Sequence, residues 1–78
     1  MNGELSQARS VLAQALNVTV EKIDDSARIG ELESWDSLGH MRLVLEIEKQ
    51  IGRELSAAEI VDLVSLADVR KLLASPAP

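Results

Sequence analysis

The chain is expected to fold as a small all-α, four-helix bundle, with three longer helices, one short third helix and a long loop between the first two. Three observations lead there. Apolar residues recur at helical spacing in separate segments, capping signals precede the later ones, and no stretch alternates with the period of a strand. Leu5, Ala8, Val11, Leu12, Ala15 and Leu16 define a first helix from about residue 4 to 16, with Asn17 as its stop. Residues 18–36 keep no period. They carry Val18, Val20, Ile23, Ile29, Leu32 and Trp35, with seven charged residues from Glu21 to Glu33, an arrangement that would pin a functional loop over the helices. Residues 37–51 are the strongest helical segment, built on Leu38, Met41, Leu43, Val44, Leu45, Ile47 and Ile51 and closed by Gly52. Ser56-Ala57-Ala58-Glu59 matches a capping box, which opens a short helix reaching about Leu63. Ser65-Leu66-Ala67-Asp68 is a weaker version of the same signal, ahead of a last helix with Leu66, Val69, Leu72 and Leu73. Residues 1–74 are thus read as one helical domain and residues 75–78 as a flexible tail.

Composition narrows the function. A chain of 78 residues buries about 60% of its unfolded surface, enough for one thin core and too little for the cleft most enzymes use. Lys and Arg number 8 and Asp and Glu 13, a net charge of −5, which repels phosphate backbones. Trp35 is the only Phe, Tyr or Trp side chain, so stacking platforms for bases are lacking as well. Neither nucleic acid nor membrane is an expected partner: no apolar run has the length of a span, and Met1-Asn2-Gly3-Glu4 does not begin like a signal peptide. One histidine and no cysteine leave no metal site. The expectation is a free-standing, cytoplasmic, acidic monomer.

The second long helix carries more apolar surface than one core face needs. Taking Leu38 as zero at about 100° per residue, Leu43, Ile47, Ile51 and Val44 gather between about 140° and 240°. Leu38, Met41 and Leu45 form a separate stripe between about 300° and 360°, and Arg42, Glu46, Gly39 and Gln50 hold the polar side. A second stripe is either covered by a neighbouring helix or left for a partner. Ser37 lies at about 260°, on the seam, and His40 at about 200°, on the core face. Taken singly, Asp36 or Ser37 is a helix cap and His40 a half-buried, hydrogen-bonded core residue. A serine hydrolase built on Asp36, Ser37 and His40 lacks the strand, the glycines and the oxyanion hole that such a nucleophile requires. No catalytic residue is assigned.

Taken together, Asp36-Ser37-Leu38 opening this helix after a long loop, in an acidic domain with two shorter helices behind, resembles the acyl carrier protein family over nearly the whole chain. The resemblance implies that Ser37 receives 4′-phosphopantetheine from coenzyme A, whose terminal thiol then holds an acyl group as a thioester. It implies a separate phosphopantetheinyl transferase as partner, with magnesium only in that complex, and a role for Asp36 in the same step. An acyl-loading ligase or acyltransferase and downstream biosynthetic enzymes of a fatty-acid, polyketide or other specialised pathway would follow. Leu38, Met41, Arg42, Leu45 and Glu48 would form the partner-binding surface, and His40 would stand near the arm or acyl pocket.

Two features depart from that pattern. Trp35 stands where the family usually has a small residue, and it is expected to anchor the loop to the core. Residues 37–54 carry three acids against three bases, where fatty-acid carriers are strongly acidic, so a dedicated set of partners is expected. An aminoacyl or peptidyl carrier with the same arm, and an unmodified helical adaptor, are the competing readings.

Overall fold

The computed structural model describes residues 3–74, and the side chains of residues 6–74. The Ser-Pro-Ala-Pro tail read from the sequence lies outside the described residues. The elements are α1 (Gly3–Leu16), a single 3₁₀ turn (Val20–Lys22), α2 (Ser37–Ile51), α3 (Ala57–Asp62) and α4 (Leu66–Leu73). All four expected helices are present, and the described residues hold isolated bridges but no strand. α1 is the hub, packed against both α2 and α4.

Each helix stops for a local reason. Asn17 adopts φ +59°, while its N–H donates to Gln14 O and that of Val18 to Ala13 O. This paired closure is the left-handed cap that asparagine tolerates better than most side chains. Gly52, at φ +76°, closes α2 by donating to Glu48 O. Both halves of a capping box form at Ser56–Glu59, as the sequence predicts. The box at Ser65 also closes in both halves, and Asp68 Oδ2 accepts from the N–H groups of Val64 and Ser65 and from Ser65 Oγ. The shorter aspartate reaches because the chain turns tightly there.

The core is assembled from one face of each long helix and from the loop. Trp35 (1% exposed), Leu12, Leu43, Ile47, Leu63, Leu66 and Val69 are its largest fully buried side chains. Trp35 therefore does anchor the loop, together with Ile23 and the partly buried Val18 and Leu32. Val20 and Ile29 remain exposed, whereas Ala27, a small residue without a hydrophobic signal of its own, is buried. The middle of the loop is held by backbone bonds from Ile29 N–H to Val64 O and from Leu66 N–H to Ala27 O. Arg9 of α1 pairs with Asp25.

Gly39 corrects the helical wheel. It is buried, not part of the polar side, because the loop crosses directly over it. A Cβ at this position would stand 2.4 Å from Ser34 O and 2.7 Å from Leu16 Cδ2. Only glycine permits so close an approach of two backbone segments.

Candidate functional site

The start of α2 is assembled from Trp35, Asp36, Ser37, Gly39 and His40. Asp36 is the helix cap: its backbone is extended (φ −101°, ψ −167°), and Oδ1 accepts the N–H of Gly39 at 2.9 Å. Its carbonyl accepts the first intrahelical bond, from His40 N–H, at 2.8 Å. Capping of this kind is worth about 1 kcal/mol. With that task filled by Asp36, Ser37 becomes the first helical residue and is exposed. Its hydroxyl has no hydrogen-bond partner among the described residues. The N–H groups of Ser37 and Leu38 are also unpaired there, so two backbone donors and the positive end of the helix dipole surround the hydroxyl. An added phosphate would meet those donors without displacing any protein contact.

Behind the serine, Trp35 and His40 fix the turn. Trp35 Nε1–H donates to His40 Nδ1 at 3.1 Å, and His40 Nε2 lies 3.2 Å from Ile60 O. An imidazole that accepts at Nδ1 and donates at Nε2 is neutral and carries its proton on Nε2. The ring centroids are 6.4 Å apart with planes 22° from parallel, so the rings lie side by side and the indole N–H points into the lone pair. One half-buried histidine thereby joins the loop, α2 and α3. Both of its nitrogens are engaged, and neither is turned to Ser37.

The second stripe is uncovered. Leu38 is 61%, Met41 53% and Leu45 61% exposed, whereas Leu43, Val44, Ile47 and Ile51 are buried. Among the described residues no neighbouring helix covers the extra apolar face. Arg42 is exposed beside it, along a shallow depression between α1 and α2 that Gln14, Ala15, Leu45, Glu46 and Lys49 complete. Glu48 is half-buried, and its Oε2 accepts the N–H of Leu55 at 2.9 Å, so this carboxylate also holds the α2–α3 connection in place. Sequence spacing gives no sign of that bond, since the partner is a backbone group beyond the helix.

A second pair lies outside the reach of sequence spacing for the same reason. Arg53 donates to both carboxylate oxygens of Glu59, at 3.0 and 2.9 Å. That bidentate bond, aided by the N–H of Ser56, lowers the Glu59 carboxyl from 4.5 to about 2. The separation of six residues follows no helical repeat; only the turn between α2 and α3 brings them together.

Among the described residues no cluster of His, Cys, Asp or Glu could hold a metal ion. None of the described helices is long and apolar enough to cross a membrane.

Two comparisons with known proteins bear on this site. The profile of the family described as "Phosphopantetheine attachment site" matches residues 6–73. Polyketide-8 synthase acyl carrier protein 2 of Streptomyces avermitilis is 32% identical over 69 residues, which cover 88% of this chain and 79% of that protein.

Proposed function

Because the chain belongs to the phosphopantetheine-attachment-site family and is an acyl carrier protein that works with biosynthetic enzymes, we propose that Ser37 Oγ is the atom bearing its 4′-phosphopantetheine. The observation that carries this reading is that Asp36, not Ser37, caps α2. The serine hydroxyl is thus exposed at a helix N-terminus with no structural bond to lose. The arm, once attached, supplies a thiol on which acyl groups ride as thioesters.

In the modification step Ser37 Oγ bonds to the phosphorus that carries pantetheine in coenzyme A. The pyrophosphate P–O bond breaks, adenosine 3′,5′-bisphosphate leaves, and the hydroxyl proton passes to a base of the phosphopantetheinyl transferase. A serine without a local base is a poor nucleophile, so activation belongs to that partner and its magnesium. Asp36 Oδ1 is committed to Gly39, and its second oxygen is the one that assists the transferase complex. Leu38, Met41, Arg42, Leu45 and Glu48 make up the surface met by successive enzymes, a helix presenting spaced anchors. His40, with both ring nitrogens engaged, positions the root of the arm and takes no part in chemistry. Residues 1–74 act as one carrier unit, a monomer in the cytoplasm, and perform no catalysis of their own. Likeness to a carrier named for a polyketide synthase supports polyketide assembly, with an acyl-loading ligase or acyltransferase as its charging partner.

The test is to incubate the unmodified protein with coenzyme A, magnesium and a broad-specificity transferase, then record the intact mass. One phosphopantetheinyl group should be added to the native chain, on the peptide containing Ser37, and none to Ser37→Ala. No gain, or a gain that survives the substitution, would overturn the assignment.

A further inference from the structure

The exposed row on α2 has a pattern beyond its apolar content. Leu38, Arg42, Leu45 and Lys49 are separated by 4, 3 and 4 positions and so run along one line of the helix, about 16 Å from end to end. Apolar and basic side chains alternate along it, and all four are exposed. Neither Arg42 nor Lys49 has an ion-pair partner among the described residues, although the chain carries a net charge of −5. The nearest acids on the helix make other hydrogen bonds. Glu46 accepts from Gln50 Nε2 at 3.3 Å on one flank, and Glu48 is turned to the Leu55 N–H on the other. An otherwise acidic protein therefore shows its partners an apolar ridge with two cations that no ion pair engages among the described residues.

We infer that the enzyme surface receiving α2 is an apolar hollow rimmed by carboxylates. Two of them would be about 10 Å apart, the spacing of Arg42 and Lys49 along the helix, with Leu45 seated between. This rests on the carrier reading above and names the chemistry of its partners. Complementary charge acts mainly on encounter rate and on the rejection of wrong partners, so a partner with a basic rim is excluded by the same two residues. An anionic lipid surface or a nucleic acid would satisfy the cations, but each extends well beyond α2 and so also meets the net charge of −7 that the chain carries apart from those two residues.

The inference can be tested on the unmodified chain, so that its failure is distinct from that of the Ser37 assignment. Two helical peptides are made with the same leucine face and either Glu or Lys on both flanks, and each is titrated at low salt into the ¹⁵N-labelled protein. The Glu peptide should bind about tenfold more tightly, as expected for two exposed ion pairs. Its shifts should centre on residues 38–49, and added salt should erase the preference. The double variant Arg42→Glu, Lys49→Glu should favour the Lys peptide. If that variant does not fold, Arg42→Gln, Lys49→Gln should lose the preference for the Glu peptide. Equal or reversed preference by the native chain, shifts centred elsewhere, or no saturable binding of either peptide would overturn it. Concentration-dependent self-association through α2, or cosedimentation with phosphatidylserine vesicles, would do the same by assigning the ridge to another occupant. Should the peptides discriminate while Ser37 accepts no arm, the docking surface stands and the carrier assignment falls.

Discussion

Trp35 and His40, five residues apart, share a hydrogen bond of 3.1 Å from indole Nε1–H to imidazole Nδ1. The indole is almost wholly buried, and a buried donor without an acceptor costs about 1–3 kcal/mol. Replacing the histidine thus removes more than one bond, since the Ile60 carbonyl also loses its donor.

His40→Phe is expected to lower unfolding stability by about 1–3 kcal/mol. With Trp35→Phe it should show a coupling of about 1 kcal/mol in a double-mutant cycle. Urea unfolding followed by circular dichroism measures both; additive losses would mean that the two rings act independently. In the native chain and in His40→Phe, Trp35 fluorescence reports this site alone, because neither contains another tryptophan or any tyrosine.

Asp36 and Ser37 should separate cleanly. Ser37→Ala removes a hydroxyl that bonds to nothing described, so its stability should stay within about 0.5 kcal/mol of the native chain while modification is abolished. Asp36→Ala removes the cap and should cost about 1 kcal/mol. Thermal melts of the two variants, read beside their intact masses, test the division; a destabilised Ser37→Ala would place that side chain in the fold.

Gly39→Ala tests the crossing of loop and helix. Alanine is the better helix former by up to about 1 kcal/mol, yet its methyl would strike Ser34 O and Leu16. Overpacking of that kind costs about 1–3 kcal/mol, and because the main obstacle is backbone, a net loss is expected in urea unfolding. A stabilised variant would show that the loop lifts freely.

The Arg53–Glu59 pair predicts an acid dependence. Glu59 titrates near 2 in the folded chain against an ordinary 4.5, so its contribution is fully present above 4.5 and is lost as pH falls through about 2. Glu59→Gln can keep the capping-box acceptor but not the charge. Native and Glu59→Gln proteins should therefore differ in Tm at pH 6 and converge toward pH 2. A constant difference across that range would mean the charge contributes nothing.

The two faces of α2 should respond in opposite ways. Leu43→Ala, in the core, is expected to cost about 2–5 kcal/mol. Met41→Ala and Leu45→Ala should leave the thermal midpoint almost unchanged and slow modification by the transferase several-fold. Equal losses of stability and rate would put Met41 and Leu45 in the core.

Helices and caps were legible because their signals are local. Leu43, Val44, Ile47 and Ile51 share a face by periodicity alone, and Ser56 and Glu59 satisfy each other three residues apart. The wheel also separated Leu38, Met41 and Leu45 from the core, but only the packed fold shows that nothing covers them. Gly39 was misplaced because a missing side chain has no hydropathy, and its burial comes from backbone arriving from elsewhere. Ala27, Glu48–Leu55 and Arg53–Glu59 stayed hidden for a related reason: each depends on where a turn delivers a distant segment. At the serine itself, spacing marked a helix start, and only the coordinates separate the capping residue from its free neighbour.

The pairing of Ala27 and Ile29 with Val64 and Leu66 also sets an order of assembly. Those backbone partners are more than thirty positions apart in the chain, so during synthesis the middle of the loop cannot make these two bonds until the entrance of α4 has left the ribosome. A truncated product ending before Val64 would present Asp36-Ser37-Leu38 on an unfinished platform.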